Sequence, residues 1–392
     1  MTTRNSLLTW SQLAVTLCLG LATTAAAQTP GSMPLKAARW LATNNVSFVQ
    51  KEAFPQGQMV MNAGKDNSEV YARLKDVSFE NGTIEFDVKP INDEWPTVRF
   101  RVRDSGTAEE FYIRPGPDCA VAIDCLQYAS KIRGRMLWDT NYQYQRPAPF
   151  RDNEWNHVKL VISGQRMDVY INHAAQPTLA VDQLEGEGGA GSVELQGPAI
   201  FANVVIASGD TEGLSPEPLP DPTASDRGYV RNWQMVGPKP LTGHAEPGIK
   251  DLPDLQAAWS PLRAERLGQV NLARRVDPIA DRTTPRYSWL RANVHSERDQ
   301  VKQVSLAYLR MVTVFVNGQP VFSGKNLYNT PSERKSPDGR LGLENGHFEL
   351  PLKRGDNQIV VALRSNTPEM GDHYGYGFRF HIDDASGLSS DE

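Results

Sequence analysis

Cysteine is scarce in this chain, with three in 392 residues. Long apolar runs are scarcer still: one lies at the N-terminus, and no other stretch is long and apolar enough to span a bilayer. Helical periodicity is missing over any useful length. So are the signatures of several enzyme classes, because no GxSxG elbow, Walker loop, HExxH helix, EF-hand loop or dinucleotide fingerprint occurs. The seven histidines (157, 173, 244, 295, 347, 373 and 381) are scattered, with no pair at metal-ligand spacing on one element. Nothing therefore calls for a metal or another cofactor, and no motif indicates a structural calcium. Excess base is absent too. A net charge of -5 without a basic run argues against nucleic acid as a partner.

What is present is ordinary globular composition, 40% hydrophobic and 22% charged, on a length that suits two domains. Arg4 precedes the apolar run Leu7 to Ala22, and Ala25, Ala26 and Ala27 supply small residues before Gln28. Residues 1–27 thus read as a cleaved signal peptide; a membrane anchor is the alternative, disfavoured by Thr9, Ser11, Gln12 and Thr16 within the run. The chain is expected in the periplasm or outside the cell, without stable membrane insertion after cleavage. Cleavage leaves Cys119 and Cys125, an even and closely spaced pair that reads as a disulfide stapling a loop. Closing so short a loop contributes roughly 2–3 kcal/mol on the chain-entropy model.

The stretch Thr83 to Arg114 carries the clearest pattern. Ile84, Phe86 and Val88 alternate with Glu85, Asp87 and Lys89; Val98, Phe100 and Val102 alternate with Arg99, Arg101 and Arg103; Phe111 and Ile113 alternate with Tyr112 and Arg114. Side chains on a strand alternate faces, so this predicts an antiparallel sheet with one dry face and one charged face. A second sheet must cover the dry face, which makes a sandwich. Further strand candidates follow, including the hairpin Glu154 to Asn172 with its turn at Gly164-Gln165, and FANVVIA at Phe201 to Ala207. The first domain is expected over 32–207.

Residues 208–227 hold four prolines, several acids and almost no large apolar residue, the composition of an extended linker. A second run of strands then fills 228–384, including VFVNGQPVF with the hairpin turn Asn317-Gly318. Residues 385–392 read as a disordered tail. The fold class is all-β: two β-sandwich jelly rolls joined by a proline-rich linker.

The order NGTIEFDV, VRFRVRD with FYIRPG, EWNHVKLVISGQRMDVYIN, GSVELQG and FANVVIA resembles the concanavalin A-like jelly rolls. Within that group it is most similar to laminin G-like domains and to the bacterial 3-keto-disaccharide hydrolase-type domain, over roughly Leu35 to Ala207. The resemblance implies a fold whose members bind or cleave polysaccharides on the wet, concave face. A laminarinase-like member would carry Glu, Asp and Glu along one strand; Glu85 and Asp87 match the first two places and Pro90 occupies the third. The second block resembles the galactose-binding-like jelly roll of family 2 glycoside hydrolases, over about Tyr229 to Asp383. Its Trp233 to Pro238 opening, VFVNG hairpin, LPLKRGDNQIVVAL segment and GFRFHI strand stand in family order. Many relatives carry acids just before the VFVNG strand, where this chain reads AYLRM (Ala307 to Met311), so no ligand residue is transferred there.

The expectation is an exported protein that binds an oligo- or polysaccharide at the bacterial cell envelope. The alternatives are a glycan-processing hydrolase and a non-catalytic structural protein of the envelope. The catalytic candidates are Glu85 and Asp87, which otherwise are solvated strand positions paired with arginines. The ligand-binding candidates are Arg99, Arg101, Arg103 and Arg114, whose mutual repulsion an acidic glycan would relieve, with Tyr112 and Trp138 stacking on a sugar ring. Asp372, His373 and Tyr374, beside Tyr376 and Gly371, read as a mobile turn or as part of a pocket.

Overall fold

The computed structural model describes Met1 and residues 31–64, 69–92, 94–243, 246–369 and 371–390. The expected signal peptide, Met1 excepted, and His244 lie outside the described residues. Among the described residues every regular element is a β-strand or a single turn of 3-10 helix, and no helix is long and apolar enough to cross a membrane.

Fifteen strands between Trp40 and Ser208 form two antiparallel sheets. One, the ladder sheet, runs β1 (Trp40–Ala42), β4 (Val70–Leu74), β14 (Ser192–Gly197), β6 (Thr97–Asp104), β7 (Thr107–Ile113), β8 (Leu126–Ile132), β10 (Gln145–Arg146); β9 (Arg135–Met136) also pairs with β8. The other runs β13 (Leu179–Val181), β12 (Arg166–Ile171), β11 (Asn156–Ser163), β5 (Gly82–Pro90), β15 (Ala199–Ser208), β3 (Phe54–Met61), β2 (Val46–Lys51). Ile84, Phe86 and Val88 from β5 meet Val98, Phe100, Phe111 and Ile113 from the ladder sheet in one buried core. The predicted sandwich follows directly from that alternation.

In β6 the alternation fails. Arg101 takes a left-handed backbone (φ 52°), and the β6–β7 register shifts between Phe100 and Asp104. Such a bulge re-aims a side chain. Arg101 turns into the protein, 4% exposed, where it donates to the Glu80 carbonyl (2.8 Å), the Gly164 carbonyl (2.7 Å) and Asn81 (3.3 Å). It clamps loops and does not join a charged surface row.

The second sandwich pairs a seven-stranded with a four-stranded sheet. The larger runs β17 (Ser260–Arg263), β16 (Asn232–Pro240), β19 (Arg286–Ser296), β24 (Gly355–Arg364), β21 (Arg310–Val316), β22 (Gln319–Asn326), with β26 (Leu388–Ser390) on β19. The smaller runs β18 (Gln269–Asn271), β25 (Gly377–Ile382), β20 (Gln300–Tyr308), β23 (Gly346–Leu352). The Asn317-Gly318 turn has positive φ at both positions (49° and 78°), as a type I′ hairpin turn demands. The expected disordered tail is partly strand: Leu388 sits in the core at 7% exposure, and β26 pairs with Val294 to Ser296. Apolar burial of that one leucine supplies the reason.

The segment 208–227 lies against both sandwiches. Gln165 donates to the Pro216 carbonyl (2.9 Å), Leu219 to the Asp182 carbonyl (3.1 Å), and Arg266 to the carbonyls of Leu219 (2.6 Å) and Pro220 (2.7 Å). Proline lacks an N–H but keeps its carbonyl, so such a segment still accepts hydrogen bonds.

A buried ionic knot joins the two sandwiches. Arg135, at the start of β9, grips Asp372 with two hydrogen bonds (3.0 and 2.7 Å), and both residues are fully buried. Arg310 approaches the same carboxylate (3.3 Å) and also donates to the carbonyls of Ser365 and Tyr374. Both guanidinium groups lie over the Tyr376 ring. The Asp372 carboxylate is therefore buried and engaged, not open to a pocket. It marks the seam at which the second sandwich docks on the first.

Candidate functional site

The outward face of the ladder sheet carries two rows set by register. Arg73, Glu194, Arg99, Glu110 and Ala129 stand opposite one another on β4, β14, β6, β7 and β8. Beside them run Tyr71, Gln196, Thr97, Tyr112, Gln127 and Gln145, ending on β10. Residues directly opposite in an antiparallel pair share a face, so both rows look outward together.

The first row alternates in charge. Arg73 bonds Glu194 (3.0 Å), and Arg99 reaches Glu194 (3.2 Å), Glu69 (3.5 Å) and Glu110 (2.6 Å). The last is a close ion pair whose Nε–H is not aimed at the oxygen, so it counts as charge contact without an aligned hydrogen bond. Burial raises the Glu110 carboxyl above its ordinary range against the pull of Arg99 and Lys131. A cavity of about 130 Å³ lies over this row, lined among others by Tyr71, Arg73, Arg99, Lys131 and Glu194.

The second row becomes aromatic. Trp95, 50% exposed in the loop before β6, stacks on Tyr112 with ring centroids 5.9 Å apart and planes 16° apart. The Arg114 guanidinium lies 4.9 Å from the Trp95 ring centre and 4.8 Å from that of Tyr112. Arg114 also donates to the Tyr112 hydroxyl (3.0 Å), to Gln127 (2.7 Å) and to the Asp124 carbonyl (2.7 Å). Burial pushes the Tyr112 phenol well up, so it stays neutral. Gln127 in turn donates to the Trp138 carbonyl (2.7 Å), tying the row to the next aromatic.

Trp138 meets the second sandwich. Its ring packs edge-on against Tyr328 (4.7 Å) and Tyr374 (6.0 Å), and Arg340 lies over it (5.6 Å). Arg340 is held by Asp124 and Asp338, both at 3.1 Å. The ionic knot around Asp372 fixes this wall. Met136 donates to the His373 carbonyl (2.9 Å), next to Tyr374.

Of the residues singled out from sequence, the structure brings Arg99, Tyr112, Arg114 and Trp138 onto this one face. Arg101 leaves it for the interior, and Arg103 pairs with Glu187 (2.5 Å) at the rim. Glu85 and Asp87 lie on β5, in the opposite sheet, so they pair with none of the arginines. Their partner is His157: its Nδ1 is 2.8 Å from Asp87, its Nε2 3.6 Å from Glu85, and its ring stacks on His173. Burial alone would raise the Asp87 carboxyl; hydrogen bonds from His157 and Asn203 more than offset it and hold it below its ordinary range. The two acids thus sit on a partly exposed strand face, away from the aromatic row. Cys119 and Cys125 are disulfide-bonded as expected, closing the loop that carries Asp124. Among the described residues no group of three or more His, Cys, Asp or Glu is placed to hold a metal ion.

Sequence reasoning missed Trp95, Glu110, Glu194, Tyr328 and Arg340. For Glu194 the signal was present in SVELQG, whose alternation puts Glu194 and Gln196 on one face. Tyr328 and Arg340 arrive from another domain, and no local pattern points to them.

No family model matches the chain. No curated protein matches it either. Among solved structures, the carbohydrate-binding module CBM66 from Bacillus subtilis aligns with 46% of this chain and 99% of its own, at 15% identity and a TM-score of 0.33. A Bacillus subtilis protein of unknown function with a galectin-like fold covers 45% and 94%, at 13% identity and 0.35. The Bacillus licheniformis β-glucanase covers 48% and 93%, at 14% identity and 0.30. These likenesses lend no role to any residue of the face.

Proposed function

We propose that this protein binds carbohydrate on the outward face of the ladder sheet, with Trp95 as the exposed ring platform, backed by buried Tyr112 and Arg114. One observation carries the reading: a half-exposed tryptophan lies parallel to a buried tyrosine, under a guanidinium, at the head of a row of glutamines. A pyranose ring offers an apolar C–H face and a rim of hydroxyls, which suits an exposed indole plane with a guanidinium beside it. The arginine ladder adds no net positive charge, because Arg73 and Arg99 are met by Glu69, Glu110 and Glu194. The proposed ligand of this face is a neutral glycan, with Arg114, which donates only to uncharged groups, beside the ring. Titrating the full chain with neutral oligosaccharides selected from a glycan array tests the proposal. Trp95→Ala should weaken the best ligand at least tenfold without lowering the melting temperature; unchanged affinity refutes the site.

Hydrolysis has one observation in its favour. Burial pushes the Asp139 carboxyl, beside Trp138, up to about 6, a value suited to a general acid. That carboxylate is 2% exposed and accepts from the Gly375 N–H (2.9 Å). It supports the seam, so binding without turnover is the better reading. Release of new reducing ends from a bound oligosaccharide would overturn it. The setting we propose is outside the cytoplasm, at the cell envelope; the leader-like N-terminus and the Cys119–Cys125 bond support this, and fractionation of the producing cells tests it.

A further inference from the structure

The second sandwich holds a groove with a different character. Two adjoining cavities of about 490 and 500 Å³ share Asn232 and Arg263 as lining. Each alone falls within the roughly 300–1,000 Å³ of ligand sites. Five arginines from separate parts of the chain converge on them: Arg227 and Arg231 before β16, Arg263 at the end of β17, Arg275, and Arg291 on β19. No lysine lines either cavity, and the one lining carboxylate, Asp226, is engaged by His381 (3.1 Å).

The five are not equally occupied. Arg231 is spent on Asp221 (3.3 Å) and Thr223, and Arg227 donates to the Leu388 carbonyl (3.0 Å). Arg291 bonds Gln234 (2.8 Å) and lies over the Trp259 ring (4.3 Å). Arg263 and Arg275 are exposed, and their side chains have no hydrogen bond and no carboxylate partner among the described residues. Arg263 stands opposite Asn232, and Gln234 opposite Arg291, so the floor interleaves amides with guanidinium groups.

Like charges gathered this way repel one another unless an anion joins them. Two of the five, Arg263 and Arg275, have no carboxylate partner among the described residues, in a chain of net charge -5. The guanidinium fork pairs in plane with carboxylate or sulfate. We propose that this groove binds an anionic glycan, a chain bearing carboxylate or sulfate groups on its sugar rings. It is separate from the aromatic face of the first sandwich and does not rest on that assignment.

The test uses the full chain with four probes at low and moderate salt: a polygalacturonate oligosaccharide, a sulfated heparin oligosaccharide, a neutral cello-oligosaccharide and a single-stranded DNA oligonucleotide. At least one anionic glycan should bind and the neutral one should not bind in this groove. Arg263→Ser with Arg275→Ser should weaken that binding at least tenfold and reduce its salt dependence. Neither side chain is bonded, so the melting temperature should hold, and Trp95→Ala should leave anionic binding intact. Equal affinity in the double variant, failure of both anionic glycans to bind, or tighter binding of the oligonucleotide overturns the proposal.

Discussion

Removal of the Asp372 carboxylate is the sharpest test of how the two sandwiches are joined. The group is fully buried and accepts four hydrogen bonds: two from Arg135 (3.0 and 2.7 Å), one from Arg310 (3.3 Å) and one from the Ile279 N–H (3.0 Å). Asp372→Ala leaves two guanidinium groups, 0% and 2% exposed, without their counter-charge. Breaking one side of a buried pair costs about 3–5 kcal/mol, most of it for the stranded charge. At about 2–4 °C per kcal/mol for a domain of this size, the melting temperature should fall by about 6–20 °C. Because Arg135 belongs to the first sandwich, Arg135→Ala should cost a similar amount, and the double variant little more than either single one. That non-additivity is the signature of one shared interaction. Arg135→Met and Arg310→Met together with Asp372→Leu should recover much of the loss, since apolar replacement of a whole buried charged triad is often neutral. Calorimetry on the full chain reads all four. A shift under about 2 °C for Asp372→Ala would refute the stranded-charge reasoning, because it implies under about 1 kcal/mol.

Three further outcomes concern the buried acids, the disulfide and Arg101. Burial pushes Glu109 and Glu185 each up to about 7 from an ordinary 4.5, so between those pH values the folded chain holds protons that the unfolded chain has lost. Stability should therefore be greatest at the acid end of that window, fall as pH rises through it, and level off above it; Glu109→Gln should flatten the slope in urea titrations at successive pH values. Replacing both Cys119 and Cys125 with serine should cost about 2 kcal/mol by loop-closure entropy, read from the urea midpoint with and without reductant. Arg101→Ala should lower stability by about 2 kcal/mol or more through loss of three buried hydrogen bonds, yet leave glycan affinity of the folded protein unchanged.

The sandwich architecture was legible because period-two alternation is a direct consequence of strand geometry, and Ile84, Phe86 and Val88 obey it. The same rule misplaced Arg101, because a single left-handed residue shifts register and the sequence there, RFRVRD, shows no glycine to announce it. Glu85 and Asp87 share one face of β5, as alternation requires. Which sheet β5 joins is a matter of long-range pairing, and the pairing gave them His157 in place of the arginines. Neutralisation of Arg99 was illegible for a related reason. The neutralising acids Glu69, Glu110 and Glu194 come from three strand neighbourhoods, only one of which adjoins Arg99 in sequence.

The aromatic face is a composite, and that has consequences for what each domain does. Trp95 and Tyr112 stand on the first sandwich alone, but Trp138 gains its edge-on partners Tyr328 and Tyr374 and its overlying Arg340 from the second. A wall built across a domain boundary holds a ligand in one geometry only if the boundary does not flex. Interfaces between domains usually permit motion unless they are large or strongly bonded. The fully buried Arg135–Asp372–Arg310 knot supplies that bonding a few residues from Trp138 and Tyr374 in sequence. An apolar seam would resist separation as well, but it would specify orientation less, because forked hydrogen bonds accept one approach direction. The charged seam therefore makes sense as a device for orientation: it costs desolvation and fixes where Tyr328, Tyr374 and Arg340 stand relative to Trp95. On this argument the apolar Arg135→Met, Arg310→Met, Asp372→Leu variant should melt near the parent protein and yet bind neutral glycan more weakly, and equal binding by that variant would separate the seam from the site.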